Sequence, residues 1–166
     1  MPKSKKAGKE VEGGARKKIV LLDSHAIIHR AYHALPDFAS SKGEPTGALY
    51  GLSTMLMGII EQFKPDYVIA CYDLPGPTHR HEVYKEYKAG RKKTDDALVA
   101  QLKSSRRIFE AFDIPIYDKP GYEADDMLGT IVEQVLSKDF EKKYGECEVM
   151  IASGDMDTLQ LIVGDR

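Results

Sequence analysis

Lys17-Lys18-Ile19-Val20-Leu21-Leu22-Asp23 reads as a strand, and the fold follows from it. Its four central residues are continuously apolar, the pattern of a strand covered on both faces, and it ends abruptly in an acid. The same design returns twice. Tyr67-Val68-Ile69-Ala70-Cys71-Tyr72 runs into Asp73, and Glu148-Val149-Met150-Ile151-Ala152 runs into Ser153-Gly154-Asp155-Met156-Asp157. A shorter piece, Ile114-Pro115-Ile116-Tyr117, reads as a fourth strand.

Helical patterns separate these strands. Ser24 to Leu35 carries an apolar stripe of Ala26, Ile27, Ala31 and Ala34 and stops at Pro36. Thr46 to Phe63 buries Leu49, Leu52, Leu56, Ile59, Ile60 and Phe63, and Pro65 follows it. Asp95 to Phe112 places Leu98, Leu102, Ile108, Phe109 and Phe112 on one side. Gly121-Tyr122-Glu123-Ala124-Asp125-Asp126 opens a helix that Met127 to Val132 carries into a core. A charged loop through Lys143 is expected after it, and a last helix from Thr158 to Val163. Alternation of this kind predicts an α/β fold with a mainly parallel central sheet and helices on both faces.

In such a sheet ligands bind outside the carboxyl ends of the strands. The topology therefore gathers Asp23, Asp73, Glu123, Asp125, Asp126, Asp155 and Asp157 on one rim. Each acid alone has an ordinary explanation as a helix cap or turn former. Within the Glu123 helix, Glu123 and Asp126 share one face and Asp125 points elsewhere. Seven acids together repel one another and need compensation. Arg30 on the first helix is the basic residue best placed to supply it. Oxygen donors without His or Cys suit hard divalent cations, here Mg²⁺ with Mn²⁺ as substitute. The five histidines read as scattered, without ligand spacing, which argues against zinc. More carboxylates than one Mg²⁺ uses point to two ions, an arrangement that activates water and stabilises the leaving oxygen of a phosphodiester.

Composition sets the bounds. The chain has 166 residues, 42% hydrophobic and 30% charged, as expected of one soluble domain. No apolar run is long enough to span a membrane, and the N-terminus lacks the apolar core of a secretory signal. Two cysteines make no disulfide framework, so a reducing cytoplasmic setting is the default. Residues 1–16 read as a disordered basic tail and 17–166 as the folded domain. The net charge is −2, yet residues 1–18 hold seven Lys/Arg against two Glu, which leaves the remainder at −7. An acidic body argues against nucleic acid on bulk charge, but one segment reverses that locally. His79 to Lys93 carries Arg80, Lys85, Lys88, Arg91, Lys92 and Lys93 against Glu82 and Glu86, interleaved with Tyr84 and Tyr87. Such a segment grips phosphates and stacks on unpaired bases; the plain alternative is a solvated face.

These stretches together resemble the 5′-nuclease domain of bacterial DNA polymerase I and the related flap endonucleases, whose core is PIN-like. The matching residues are Leu21-Leu22-Asp23, Arg30 to Leu35, Ser41 to Ala48, Gly76-Pro77-Thr78 with Arg80-His81-Glu82, Tyr87 to Arg91, Pro120 to Asp126 and Gly154 to Asp157. The resemblance implies Mg²⁺-dependent hydrolysis of DNA at 5′ ends or flaps, with a DNA polymerase as a partner. It assigns Asp23, Asp73, Glu123, Asp125, Asp126, Asp155 and Asp157 to the metal cluster. It assigns Arg30, Lys88 and Arg91 to catalysis, and with Tyr87 to the strand near the scissile phosphate; Arg80, Lys92 and Lys93 add further DNA contacts. Lys88 and Arg91 would sit on an arch over the site. Asp23-Ser24 stands where the family commonly has Asp-Gly, and Met156 stands where it commonly has Lys. The family continues to further aspartates and a helix-hairpin module, so the 166-residue chain is expected to bind metal weakly and cleave poorly. Two other readings stay open: an aspartyl-phosphate phosphohydrolase, on Asp155-Met156-Asp157-Thr158, and a non-catalytic DNA-binding remnant.

Overall fold

The computed structural model describes residues 15–90 and 93–166. The expected tail lies almost wholly outside this set, as do Arg91 and Lys92. Four strands form one sheet: β1 (Lys17–Asp23), β2 (Tyr67–Cys71), β3 (Ile116–Tyr117) and β4 (Cys147–Ala152). Their order is β3-β2-β1-β4, and every pairing is parallel. Among the described residues six α-helices connect them: α1 (Ser24–Ala34), α2 (Gly47–Phe63), α3 (His79–Val83), α4 (Asp96–Ala111), α5 (Ala124–Val135) and α6 (Lys138–Tyr144).

The pleat of β1 divides the interior. Val20 and Leu22 enter a core with Ile27, Ile28, Leu52, Leu56, Leu98 and Phe109, contributed by α1, α2 and α4. Ile19 and Leu21 enter a second core with Leu128, Val132 and Val135 of α5, against which Phe140 of α6 packs. The uninterrupted apolar run is thus explained by burial on both faces. Each fully buried leucine in these layers stabilises the fold by about 2 kcal/mol relative to exposure. The chain steps from β1 to β2 to β3 in one direction and then returns to the far side of β1 as β4. That reversal makes the carboxyl ends of β1 and β4 the switch point where parallel sheets open a crevice.

Three expectations need correction. The charged stretch before β4 is not a loop but α6: the Ser137 side chain accepts from Phe140 N, and acids in the first turn and Lys142 and Lys143 in the last suit the helix dipole. The segment after β4 is a 3₁₀ helix, Met156–Leu161, rather than an α-helix from Thr158. It leaves Leu159, Ile162 and Val163 exposed. The strand expected from Ile114 is paired as strand only at Ile116–Tyr117, because Pro115 has no N–H to give, although its carbonyl still accepts from Ala70 N at 3.0 Å. Gly51 fits a close crossing of α1 and α2; a Cβ there would lie 2.7 Å from that of Ala31. The crossing fixes α1, whose first turns reach the acidic rim.

Candidate active site

Four aspartates line one cavity of about 410 Å³ at the carboxyl edge: Asp23, Asp73, Asp125 and Asp155. Each is placed by a local backbone device. Asp23 ends β1 and caps α1, with Oδ1 accepting from Ala26 N at 3.1 Å. Its other oxygen accepts from the Ser153 hydroxyl at 2.7 Å, which ties the ends of β1 and β4 together across the switch point. Asp73 follows β2 and accepts from Ala124 N at 2.6 Å, so it braces the start of α5. Asp155 caps the 3₁₀ helix, and its own N–H donates to Ser153 Oγ at 3.0 Å. Asp125 sits in the first turn of α5 and faces the other three. Burial, reinforced by Asp23, Asp155 and Asp73, pushes its carboxyl up to about 6.

Glu123 and Asp126, on the other side of the same helix start, live in the opposite environment. Glu123 is buried, at 5% exposure. Its Oε1 accepts from Lys88 Nζ at 2.8 Å, and its Oε2 accepts from the Tyr87 hydroxyl at 3.0 Å. Burial works to raise its pKa, but the hydrogen bonds from Lys88 and Tyr87 and the charges of Lys88 and Arg80 outweigh it, and the net shift is downward. Asp126 receives both terminal nitrogens of Arg80, at 2.8 and 2.9 Å, and accepts from Glu123 N at 2.8 Å. Burial again opposes, and the Arg80 hydrogen bonds prevail to lower it.

The structure therefore sorts the seven acids. Asp23, Asp73, Asp125 and Asp155 come together, and Glu123 lines the same cavity through the side that meets Lys88. Asp126 turns to Arg80 and the neighbouring groove with His79. Asp157 is exposed, gives its N–H to Asp155 Oδ1 at 2.9 Å, and does not line the cavity. Lys88 lines the cavity, whereas Arg30 is exposed on α1 outside its lining. Arg80 and Tyr87 are spent on Asp126 and Glu123, and Lys93 is exposed, 3.1 Å from Asp96. Arg91 and Lys92 lie outside the described residues.

Sequence reasoning missed the histidines and hydroxyls. His25 and His29 line the cavity from α1. The view of scattered histidines is corrected: His25, His29 and His33 recur every four residues, one face of a helix. The signal was the spacing itself, which became visible only with α1 in register behind Asp23. His25 Nδ1 accepts from Asp73 N at 3.3 Å, and burial lowers its pKa against the pull of Asp73 and Asp23, so the ring is held neutral. Ser153 carried no sequence signal and Thr78 only the family motif around it, because their partners, Asp23 and Glu123, are distant in the chain.

Among the described residues, no three His, Cys, Asp or Glu side chains close on a point tightly enough to hold an ion directly. The carboxylates stand around the cavity instead. That spacing fits a hydrated hard cation, since Mg²⁺ keeps several waters and takes only one or two carboxylates.

A parallel sheet with carboxylates around a cavity at its switch point is the PIN-like architecture. The chain belongs to the family of the 5′-3′ exonuclease N-terminal resolvase-like domain, which matches residues 18–166. It is 41% identical over 145 residues to a DNA polymerase I of Caldicellulosiruptor bescii, covering 87% of this chain and 16% of that one. It is 36% identical over 146 residues to a 5′-3′ exonuclease of Aquifex aeolicus, covering 88% and 48% respectively. Its fold matches a bacteriophage T5 protein co-crystallised with metal ions, with a TM-score of 0.68 at 18% identity over 90% of this chain and 53% of that one. A T5 flap endonuclease solved in complex with DNA and metal ions matches with a TM-score of 0.60, at the same identity and coverage. The chain thus spans about half or less of the length of these relatives.

Proposed function

We propose that this chain is the catalytic core of a divalent-metal-dependent 5′-3′ exonuclease and flap endonuclease that hydrolyses DNA phosphodiester bonds. One observation carries the reading. Four aspartates surround one cavity at the switch point, with Asp125 pushed up to about 6 by burial and then by the other three, and a lysine at the rim. A purely structural cluster would pair such charges; this one leaves them facing a cavity. Asp23, Asp73, Asp125 and Asp155 would hold the metal, Mg²⁺ with Mn²⁺ as substitute, and the cavity has room for two ions. Bound ions supply Lewis-acid activation of water and stabilisation of the leaving oxygen.

The chain's own residues do the rest. Asp73 and Asp23 are fixed by backbone N–H groups, so the donor set is organised before substrate arrives. His25, held neutral beside Asp73, adds no competing positive charge. Lys88 brings the nearest ammonium to the cavity and is the group placed to meet a phosphate there. Arg91, three residues on, would join it with a bidentate guanidinium. Tyr87 and the basic stretch from Arg80 to Lys93 would follow the strand, and Arg30 would contact it further out. DNA with 5′ ends or flaps is the proposed substrate, and a DNA polymerase that leaves such ends is the proposed partner.

The test is cleavage of a 5′-labelled flap duplex in Mg²⁺, in Mn²⁺ and in EDTA. Metal-dependent release of the flap supports the reading. Binding without cleavage in either metal would leave a DNA-binding module only, and a trapped phosphoenzyme would favour the aspartyl-phosphate alternative.

A further inference from the structure

We infer that Glu123 is the anchor of the arm formed by residues 78–90, a positioning residue that sets Lys88 at the mouth of the acidic cavity rather than a direct ligand of the ion. The inference rests on the proposed metal-dependent chemistry for its meaning, but its observations are separate. All of them concern how the Glu123 carboxylate is used.

An ionised carboxylate offers about four lone-pair positions. At Glu123 donors from the arm meet both oxygens. Thr78 Oγ1 donates to Oε1 at 3.4 Å and Lys88 Nζ to the same oxygen at 2.8 Å. The Tyr87 hydroxyl donates to Oε2 at 3.0 Å, and Arg80 NH1 stands 3.5 Å from it. Asp125, two residues on, has no donor of this kind and faces the cavity. The carboxylate that meets the arm's donors is therefore distinct from the one that faces the other aspartates across the cavity.

The arm has little else to hold it. α3 buries no residue, Val83 is 87% exposed and Tyr84 57%. Its attachments are Arg80 on Asp126, His79 N on Gly121 O at 2.9 Å, the His79 ring against Tyr122 with centres 5.5 Å apart, and the donors to Glu123. His81 packs edge-on against Tyr87, with ring centres 5.2 Å apart, and His81 Nδ1 lies 3.0 Å from Thr78 Oγ1, so the arm folds around the same carboxylate. Lys88 has φ +61°, a left-handed backbone that a residue with a Cβ adopts only when its surroundings impose it. Lys88 lies in a turn closed by Ala89 N on Glu86 O at 3.0 Å, and its contact with Glu123 holds the ammonium at the cavity.

The experiment reads hydrogen exchange and metal binding in the 166-residue chain, without substrate. Glu123→Gln keeps the shape and removes the charge. Exchange at Tyr84, Tyr87 and Ala89 should accelerate about tenfold or more, the size that loss of a charge-assisted hydrogen bond gives. Mn²⁺ binding, followed by electron paramagnetic resonance, should fall far less than in Asp125→Asn, which in turn should leave the arm's exchange unchanged. Lys88→Met and Tyr87→Phe attack the same contact from the arm. They should accelerate exchange without weakening Mn²⁺ binding, and they carry the test if Glu123→Gln does not fold. The anchor role is overturned if Glu123→Gln abolishes Mn²⁺ binding as Asp125→Asn does, or if Lys88→Met leaves the arm fully protected. Undiminished Mn²⁺ binding by Asp125→Asn would instead overturn the metal reading, and the exchange data would still decide the anchor.

Discussion

Two sides of the first turn of α5 carry the same chemistry to opposite ends. On one side Asp125 meets Asp23, Asp73 and Asp155 across a cavity, and its carboxyl is driven upward. On the other, Glu123 and Asp126 meet Lys88, Tyr87 and Arg80, and both are driven downward. Residues three apart on a helix share a face, whereas those one or two apart do not, so adjacent acids in sequence enter different electrostatic regimes. The difference teaches that an acidic motif is not one site. Of the three acids in Glu123-Ala124-Asp125-Asp126, one faces other carboxylates across the cavity and two are satisfied by the basic arm beside it.

The largest effect expected from breaking this contrast is on chemistry. Asp125→Asn or Asp73→Asn should lower flap cleavage in Mg²⁺ by about a thousandfold or more, since the metal's charge stabilisation is worth several kcal/mol. Single-turnover rates measure it, and wild-type rates from both variants would remove the uncompensated side from the mechanism.

Next is Arg80→Ala. It strips Asp126 of both guanidinium hydrogen bonds and leaves Glu123 with one cation fewer. The pair is partly exposed, so the cost is about 2 kcal/mol, below that of breaking a fully buried pair. Urea unfolding at neutral pH gives the value, and the loss should shrink on acidification as the carboxylates protonate. Because both acids are lowered in the folded state, their stabilisation is present above their unfolded pKa and is lost as pH falls through the folded values.

Asp125→Asn should do the reverse in metal-free buffer. A carboxyl raised to about 6 binds its proton more tightly folded than unfolded, so wild-type stability declines from near pH 4 to near pH 6 and stays reduced above that. Asparagine removes the decline. The variant should gain about 1 kcal/mol at pH 8, with partial solvent screening allowed for, and nothing near pH 3. Thermal melts at the two pH values, with EDTA present, check the sign. A loss at pH 8 would mean the four aspartates do not repel.

The smallest effect belongs to Arg30, outside the cavity. Arg30→Ala should weaken DNA binding and lower the slope of log K against log salt by about one, as loss of one phosphate contact does. The cleavage rate at saturating DNA should stay unchanged. A rate loss at saturation would return Arg30 to the catalytic set.

The sequence alone determined the layers and the edge. Continuous apolar strands such as Ile19 to Leu22, each ending at an acid, are legible because burial on both faces demands them, and parallel topology then sends all those acids to one rim. The motif from Gly121 to Asp126 and the basic interval from Arg80 to Lys93 were legible for the same local reasons: composition, spacing and a helix start. The helix α6 was not, because its charged residues hide one half-buried anchor, Phe140, that matters only against the second core. Nor was the division of the acids. Whether a carboxylate faces other carboxylates or a lysine depends on contacts 35 to 130 residues apart in the chain, Lys88 with Glu123 and Ser153 with Asp23. Such pairings leave no trace in local pattern. They arise when the sheet order brings β4 back beside β1 and the arm folds over α5, so the tertiary structure decided which acids face one another across the cavity and which hold the arm.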